Sequence, residues 1–571
     1  MLRTQKSVID ISNAMMSLVK DVEPPEAIMD KLRVLIADAK DRELVIPVVG
    51  AFSAGKSTLI NQFCGDSKLP TAITPETSLA TEIHYSPEEY IEAIRADGSV
   101  TRHDVNDMAS IKEKAKEYSF IRLYTSSQKV KEAAPLVLVD MPGFDSPFDA
   151  HNKAIMAYLS RGSHYVVLSS VEDGTITRTL MRRLEEIDQY GRSFTFFLSK
   201  SDLRAPNVVD ELVEHYQASI KDTMDLSVKV IPFGKQVSNA LSDILANISP
   251  ETQFLNIYRD SLKELCYDLI EAINTRILAA QIDTKTSKSA IQEMQRSLDS
   301  LHSKSDKMIS EIEDRYSGVI VNDLVEIVGR DLNTSVNDLS SVGASGNSSE
   351  LSQRLAEMVR HSLLMAMKDK MGNLNQRIVG EFSLELKGLD QLMKGMSGVD
   401  FSKSLGEKIQ ASFESVSKIG EFVGDLAKKE QTSKSVKNIY KVVVSTAAIC
   451  TTVLAPVFEL ILFFLPDLLG MIFSGQSKQE QVKAKLLQEV FPDIKQKIRQ
   501  ELPATLQEQV GNMIKSARDQ YLETIKMQQS EIQKGIDDKV QSDKALQEKL
   551  SYFMQVRDEL TKTGTIILEM K

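Results

Sequence analysis

The sequence predicts an α/β domain, a mainly parallel sheet with flanking helices built around a P-loop, followed by a long all-α helical bundle forming a stalk with an apolar tip. Three observations carry this. A phosphate-binding pattern, Gly50 to Ser57, follows an apolar strand-like run and opens into a helical one. From Leu44 to about Ala246, β-rich runs alternate with helical periodicity, as in a parallel sheet with crossover helices. After about residue 250 the strand patterns stop and apolar residues recur at helical spacing.

At 571 residues the chain is too long for one core. The expected units are N-terminal helices over 1–43, the α/β domain over 44–246, a helical neck and trunk over 247–425, a paddle-like apolar tip over 426–476, and returning helices over 477–571. A net charge of −11, with no basic domain standing out, argues against nucleic acid as a partner. Cys64, Cys266 and Cys450 are far apart and form no ligand pair, which suits a reducing compartment, and the seven histidines lack metal spacing. Residues 1–20 contain no continuous apolar core for a signal peptide, so a cytoplasmic location is expected.

Before the P-loop, Val8, Ile11, Met15 and Leu18, then Ile28, Leu32, Leu35 and Ala39, form two apolar helical stripes split by Pro24-Pro25. Each stripe needs a cover. Because a strand follows at once, these helices are expected outside the α/β domain, packed on helices from elsewhere in the chain.

The P-loop turns successive backbone N–H groups toward one point, which needs glycine where a side chain would block a phosphate or where φ is positive. Gly50 and Gly55 stand at those places. Lys56 offers a charge to the β- and γ-phosphates, Ser57 a hydroxyl to Mg²⁺, and Ser53, Ala54 and Thr58 complete the cradle at the start of a helix, whose N-terminus favours anions. Strands are expected at 44–49, 80–85, 136–140, 164–169, 193–198 and 228–233, with a hairpin of Tyr90–Arg95 and Ser99–His103 turning at Asp97-Gly98 and adding antiparallel strands at one edge.

Two more elements follow in order. Leu136–Val139 delivers Asp140 to a strand end, and Gly143 completes Asp-x-x-Gly: the carboxylate can hold Mg²⁺ through water and the Gly143 amide can meet a γ-phosphate oxygen. Phe194–Leu198 is followed by Ser199, Lys200, Ser201 and Asp202. A carboxylate there can accept hydrogen bonds from the N1–H and 2-amino groups of guanine, which adenine lacks, so Asp202 points to GTP. Each tetrapeptide alone is also compatible with ordinary surface residues; three elements in order, each at a strand end, are strong together.

Gly50 through Asn61, then Leu69 through Thr77, resemble the P-loop and switch I of bacterial dynamin-like GTPases. The similarity is sharp over 45–145, weaker to 240 and architectural beyond. It implies that Thr77, with Thr74 as the alternative, contacts Mg²⁺ and orients the attacking water. Glu76, Ala72 and Ser199 depart from the usual family residues at their positions. Phe144 stands where small regulatory GTPases carry a water-aligning glutamine, which leaves hydrolysis to Thr77, Ser53, backbone groups or a second molecule. The resemblance implies the last, self-association through GTPase domains across the nucleotide, and admits partner dynamin-like proteins. Ser53, Lys56 and Thr77 are the expected catalytic residues.

In the helical part, Leu262, Leu265, Leu269, Ile273 and Ile277 form one stripe, and a second runs through Leu506, Val510, Met513, Ala517, Tyr521 and Ile525. Both read as core. Breaks are expected at Ser340–Ser349 and around Gly388 and Gly398. Val442–Phe473 is strongly apolar but interrupted by Pro456, Glu459, Pro466 and Asp467, which suits two short helices in a hairpin better than one spanning helix. Lys428, Lys429, Lys434, Lys437 and Lys441 precede it, each worth about 1 kcal/mol near an anionic membrane. The membrane-contacting residues would be Val453, Leu454, Val457, Phe458, Leu460, Ile461, Phe463, Phe464 and Leu465. The resemblance places a membrane paddle at this tip; burial in the bundle or against a partner is the alternative. A peripherally membrane-associated mechanochemical GTPase is thus expected, with a nucleotide-gated scaffold or pore-forming component of little turnover as the rival.

Overall fold

The structure, a computed structural model, describes residues 2–51, 53–65, 69, 79–95, 97–114, 117–143, 158, 162–189, 193–234, 248–311, 317–387, 389, 403, 405–407, 478–540 and 543–570. Helices α1 (Arg3–Val19) and α2 (Glu26–Asp41) precede strand β1 (Leu44–Gly50). The α/β part continues through α3 (Lys56–Cys64), β2 (Thr81–Tyr85), β3 (Tyr90–Ile94), β4 (Val100–His103), α4 (Met108–Glu113), β5 (Phe120–Thr125), α5 (Gln128–Ala133), β6 (Leu136–Asp140), β7 (His164–Ser170), α6 (Arg178–Gln189), β8 (Ser193–Ser199), α7 (Pro206–Met224) and β9 (Val230–Pro232). The helical part comprises α8 (Pro250–Gln281), α9 (Thr284–Glu311), α10 (Ser317–Thr334), α11 (Val336–Ala344), α12 (Ser348–Glu385), α13 (Lys478–Lys485), α14 (Phe491–Asp538) and α15 (Asp543–Glu569).

Among the described residues the strands form one sheet in the order β4-β3-β5-β2-β6-β1-β7-β8-β9. The five from β6 to β9 are parallel, so their carboxyl ends share one edge. β1, β6 and β7 are buried at every residue, as a strand covered on both faces requires. Pro47 has no N–H to give, and the ladder from β1 to β7 begins only at Val48.

The hairpin forms, with β3 and β4 antiparallel and Gly98 at φ +81° in its turn. Its place corrects the expectation in one respect: β5, absent from the expected strands, lies between the hairpin and β2. Ile121, Leu123 and Thr125 are buried and their alternates Phe120, Arg122 and Tyr124 are half-buried, the period-two signal of a strand. Arg122 is accommodated because its Nε donates to Glu82 Oε2 at 3.0 Å.

Glu82, 1% exposed on β2, also accepts from the Tyr158 hydroxyl at 2.7 Å, and His84 Nε2 lies 3.2 Å from it. His84 Nδ1 is 3.4 Å from Glu43. Burial lowers the imidazole pKa, but Glu43 and Glu82 outweigh it and raise the value to about 9. A folded pKa above the unfolded value stabilises fully below about pH 6.5, and that stabilisation is lost as pH rises through about 9. Denaturant midpoints measured between pH 6.5 and 9.5 should therefore fall by the equivalent of roughly 2–3 kcal/mol. His84→Gln should flatten that slope, and an unchanged slope in the variant would remove His84 as its source.

The helical stripes are core. Leu262, Leu265, Leu269, Ile273 and Ile277 are each at most 6% exposed, and Leu506 through Ile525 of the second stripe at most 1%. α14, 48 residues long, spans about 70 Å and packs along α8, α9 and α10. α1 lies on α8, α15 and α2, which covers its stripe with helices distant in sequence. α11 ends at Ala344 and α12 begins at Ser348, with Gly346 at φ +83° between them, inside the expected break. Gly388, Gly398 and the apolar tip, including Val453, Leu454, Val457, Phe458, Leu460, Ile461, Phe463, Phe464 and Leu465, lie outside the described residues. Among the described residues no helix is long and apolar enough to cross a membrane.

Candidate nucleotide site

The P-loop leaves the end of β1, at the centre of the parallel strands. A Cβ on Gly50 would stand 2.3 Å from the Leu168 carbonyl oxygen of β7, so the loop can leave the sheet here only without a side chain. Ser53 and Gly55 take φ of +62° and +89°, turns that swing successive amides toward one side. Gly55 is the N-cap of α3, and the Leu59 amide donates to its carbonyl at 2.9 Å. Ala54 is buried, Ser53 and Thr58 exposed.

Lys56 is 8% exposed, and its Nζ donates to the carbonyls of Gly50 (3.1 Å) and Ala51 (2.9 Å), folding the ammonium back over the loop. Ser57 Oγ donates to Asp140 Oδ2 at 2.8 Å, so two residues 83 positions apart converge. Asp140 is held there because Val48 pairs with it in the parallel ladder and the Met141 amide donates to Val48 at 3.3 Å. Gly143 is buried just beyond. A carboxylate and a hydroxyl are hard oxygen donors and suit Mg²⁺.

At the end of β8, Ser199 Oγ donates to the Ala54 carbonyl at 2.8 Å, with the Ser169 carbonyl at 3.1 Å. Its hydroxyl therefore ties this strand end to the P-loop rather than facing outward. Lys200 adopts φ +57° and its ammonium pairs with Glu172, whose carboxyl it holds below the usual range. Asp202 is exposed on a 3₁₀ turn, Ser201–Leu203. The Ser201 amide donates to Phe233 at 3.0 Å and the Phe233 amide to Leu198 at 2.9 Å, so the chain after β9 forms the adjoining wall. There a Cβ on Gly234 would fall 2.8 Å from Asp202 Oδ1.

The structure thus brings Gly50, Ser53, Ala54, Gly55, Lys56, Ser57, Thr58, Asp140, Gly143, Ser199, Lys200 and Asp202 to one edge of the sheet. Thr74, Thr77, Ala72, Glu76 and Phe144 lie outside the described residues. Sequence reasoning missed four contributors. Glu172 meets Lys200; Asp173 accepts from the Ser170 amide and the Ser169 hydroxyl, both at 3.0 Å; Gly234 passes under Asp202; and Asn61 clamps Leu69 through its carbonyl and amide at 2.8 and 2.9 Å. Only Asn61, four residues after Ser57, carried a sequence signal, a polar residue on an otherwise apolar helical face.

Residues 46–201 match the dynamin family. The chain carries a dynamin-family GTPase domain. The chain is 28% identical over 203 residues to an uncharacterized protein in the xynA 3′ region of Caldicellulosiruptor sp. (strain Rt8B.4), covering 34% of this chain and 48% of that protein. It is 27% identical over 106 residues to dynamin-like protein 2 of Campylobacter jejuni, covering 19% and 17%. The matches thus span about half or less of these relatives. Among solved structures, a chain of an oligomerised bacterial dynamin pair, described for long-range sensing and tethering of membranes, aligns over 94% of both chains at 14% identity and a TM-score of 0.32.

Proposed function

We propose that this dynamin-like GTPase binds GTP with Mg²⁺, hydrolyses it, and couples turnover to a membrane through its apolar tip, with the helical segments as the connecting stalk. The observation that carries the nucleotide reading is the convergence of Lys56, the Ser57–Asp140 pair and the Ser199–Asp202 turn on one sheet edge. The loop amides and Lys56 bind the β- and γ-phosphates, and Ser57 and Asp140, with Thr77, hold Mg²⁺, which when bound neutralises phosphate charge. Ser199 keeps the base-recognition turn in register with the P-loop, so that Asp202 and the phosphates are addressed together. Thr77 orients water, and Ser53, exposed at the loop crest, faces the side on which a second GTPase domain would complete the site.

Asp202 accepts two N–H groups from guanine. Asp202→Asn offers one acceptor and one amide donor, which fit the N1–H and 2-oxo groups of xanthine instead. GTP affinity should fall at least tenfold and XTP affinity should rise; titration with both labelled nucleotides measures this, and equal losses for the two would move base recognition elsewhere.

The test of the whole reading is GTP hydrolysis over a range of protein concentrations, with and without anionic liposomes. A specific rate rising with both supports self-association and membrane coupling. Binding without turnover, together with dye leakage from the liposomes, supports the gated scaffold or pore. Replacing Leu460 and Phe463 by Asp should abolish liposome pelleting, and undiminished pelleting would place the membrane contact outside the tip.

A further inference from the structure

Strand β2 begins at Thr81, four residues after Thr77 in the chain, and Thr81 is the antiparallel partner of Asp140 on β6. Directly opposed residues of an antiparallel pair send their side chains to the same face, with Cβ atoms about 5 Å apart. Asp140 accepts from Ser57 of α3 at 2.8 Å, so the face in question is the one that α3 covers. Thr81 therefore stands beside the Ser57–Asp140 pair. The apolar neighbours agree: Ile83 and Leu138, the next opposed pair on this face, share a core cluster with Leu59 and Ile60 of α3, whereas Ala80 and Val139 belong to the cluster on the other side.

Thr81 is 1% exposed, and among the described residues its Oγ1 has no hydrogen-bond partner. A hydroxyl taken out of water without a partner costs free energy that valine, of nearly the same shape, would not incur. Threonine suits a strand because it is β-branched, but valine suits it equally. Packing thus gives no reason for the oxygen; its place next to the magnesium carboxylate does.

The strand is held so that this hydroxyl cannot turn away. β2 lies between β6 and β5, and the Ile121 amide of β5 donates to the Ala80 carbonyl at 3.0 Å. On the opposite face, Glu82 receives Arg122 Nε at 3.0 Å and the Tyr158 hydroxyl at 2.7 Å. A slip of one residue would exchange the two faces and drive the Glu82 carboxylate among the apolar residues under α3. The register is therefore fixed from both sides of the sheet.

Mg²⁺ gives up its waters reluctantly and keeps several of them at nucleotide sites. A water has two protons to donate. Asp140 can accept one, and a threonine hydroxyl, which has lone pairs as well as a proton, can accept the other. Partners of this outer kind change metal affinity by roughly 10–100-fold in other sites.

We propose that Thr81 is a positioning residue of the Mg²⁺ site: its hydroxyl and the Asp140 carboxylate together hold one water of the Mg²⁺ shell. The inference rests on the nucleotide reading and adds a residue to it. The test uses the full chain and a fluorescent, non-hydrolysable GTP analogue, titrated with Mg²⁺ and, separately, bound in EDTA. Thr81→Val should raise the Mg²⁺ concentration for half-maximal tightening of analogue binding about tenfold, with affinity in EDTA unchanged within about twofold. Its urea midpoint without nucleotide should equal or exceed the parent's, because the unpaired hydroxyl is gone. Thr81→Ser keeps the hydroxyl and should show the parent's Mg²⁺ response within about threefold, at a lower urea midpoint because a buried methyl is lost. A weaker Mg²⁺ response without a loss of stability is a split that a packing role does not produce. If Thr81→Val does not fold, as judged by circular dichroism, Thr81→Cys takes its place with the same expected Mg²⁺ shift, since a thiol is a weak acceptor.

A folded Thr81→Val chain with the parent's Mg²⁺ response would overturn the proposal. So would a Thr81→Ser chain as impaired as Thr81→Val, which assigns the effect to the methyl group. A parent chain that binds the analogue equally well in Mg²⁺ and in EDTA refutes the Mg²⁺ part of the nucleotide reading, and one that does not bind it refutes that reading altogether; in either case the role of Thr81 falls with it.

Discussion

Lys56→Ala should lower GTP turnover at least a hundredfold, about 2.7 kcal/mol or more of transition-state stabilisation. The lysine lies against the loop, with its ammonium on the Gly50 and Ala51 carbonyls and its side chain buried. Charge that develops on the transferring phosphoryl group has to be met by donors already in place, because reorganising solvent in a closed site is costly. Ser57 and the loop amides remain in the variant, so some nucleotide binding should survive while kcat collapses. Two loop carbonyls lose a donor, a loss of about 1 kcal/mol each, so the fold should persist. Phosphate release at saturating GTP, with a fluorescent nucleotide to report binding, separates the two effects. Undiminished kcat would mean that the P-loop is not the reaction site.

Arg276→Met should destabilise the chain by about 3–5 kcal/mol without touching the nucleotide site. Arg276 on α8 is 3% exposed and joins four segments. Its Nε donates to Asp538 Oδ2 of α14 at 2.7 Å, its Nη2 to the other carboxylate oxygen at 3.3 Å, and its Nη1 to the Val22 carbonyl at 2.7 Å. The guanidinium also lies over the Phe553 ring of α15, 4.8 Å from its centroid. Methionine keeps most of the volume, so the loss reports charge and hydrogen bonding rather than a cavity. Asp538 would retain only Lys549, 2.5 Å away, among these two basic partners. Denaturant unfolding followed by circular dichroism gives the shift. Adding Asp538→Leu should recover part of it, since Asp538 no longer lies buried short of a cation, while Glu531, also buried near Arg276, keeps Lys534 at 2.7 Å. A double variant as weak as the single would assign the effect to packing on Phe553.

The parts of the site that could be read in sequence are those built locally. The P-loop is legible because its turn, its glycines and the helix that follows are contiguous, and Asp140 and Ser199 because each ends a buried apolar run at the strand end where ligands collect. Ser199 was legible as a position but not as a role: its hydroxyl serves Ala54, 145 residues away. β5 was legible in the alternation of Ile121, Leu123 and Thr125 and went unread; Arg122 stands on its half-buried face, where Glu82 of the neighbouring strand receives it. The amphipathic stripes of α1 and α8 announced burial, but a stripe does not name its cover, and α1 could have chosen any apolar face.

Charged residues mark the sharpest limit. Nothing in the spacing of Arg183, Glu186, Glu357, Arg360 and Arg276 sets them apart from charges on a solvated helix face, yet all are buried. The sequence by itself determined the α/β-then-helical order, the phosphate loop and the strand end that carries Asp202, because these rest on backbone geometry and on spacing within a few residues. Only the tertiary structure decided which helices cover the N-terminal pair, where β5 enters the sheet, and which charges are taken out of water, because burial depends on elements far apart in the chain closing over the ion, as when Arg276 meets Asp538.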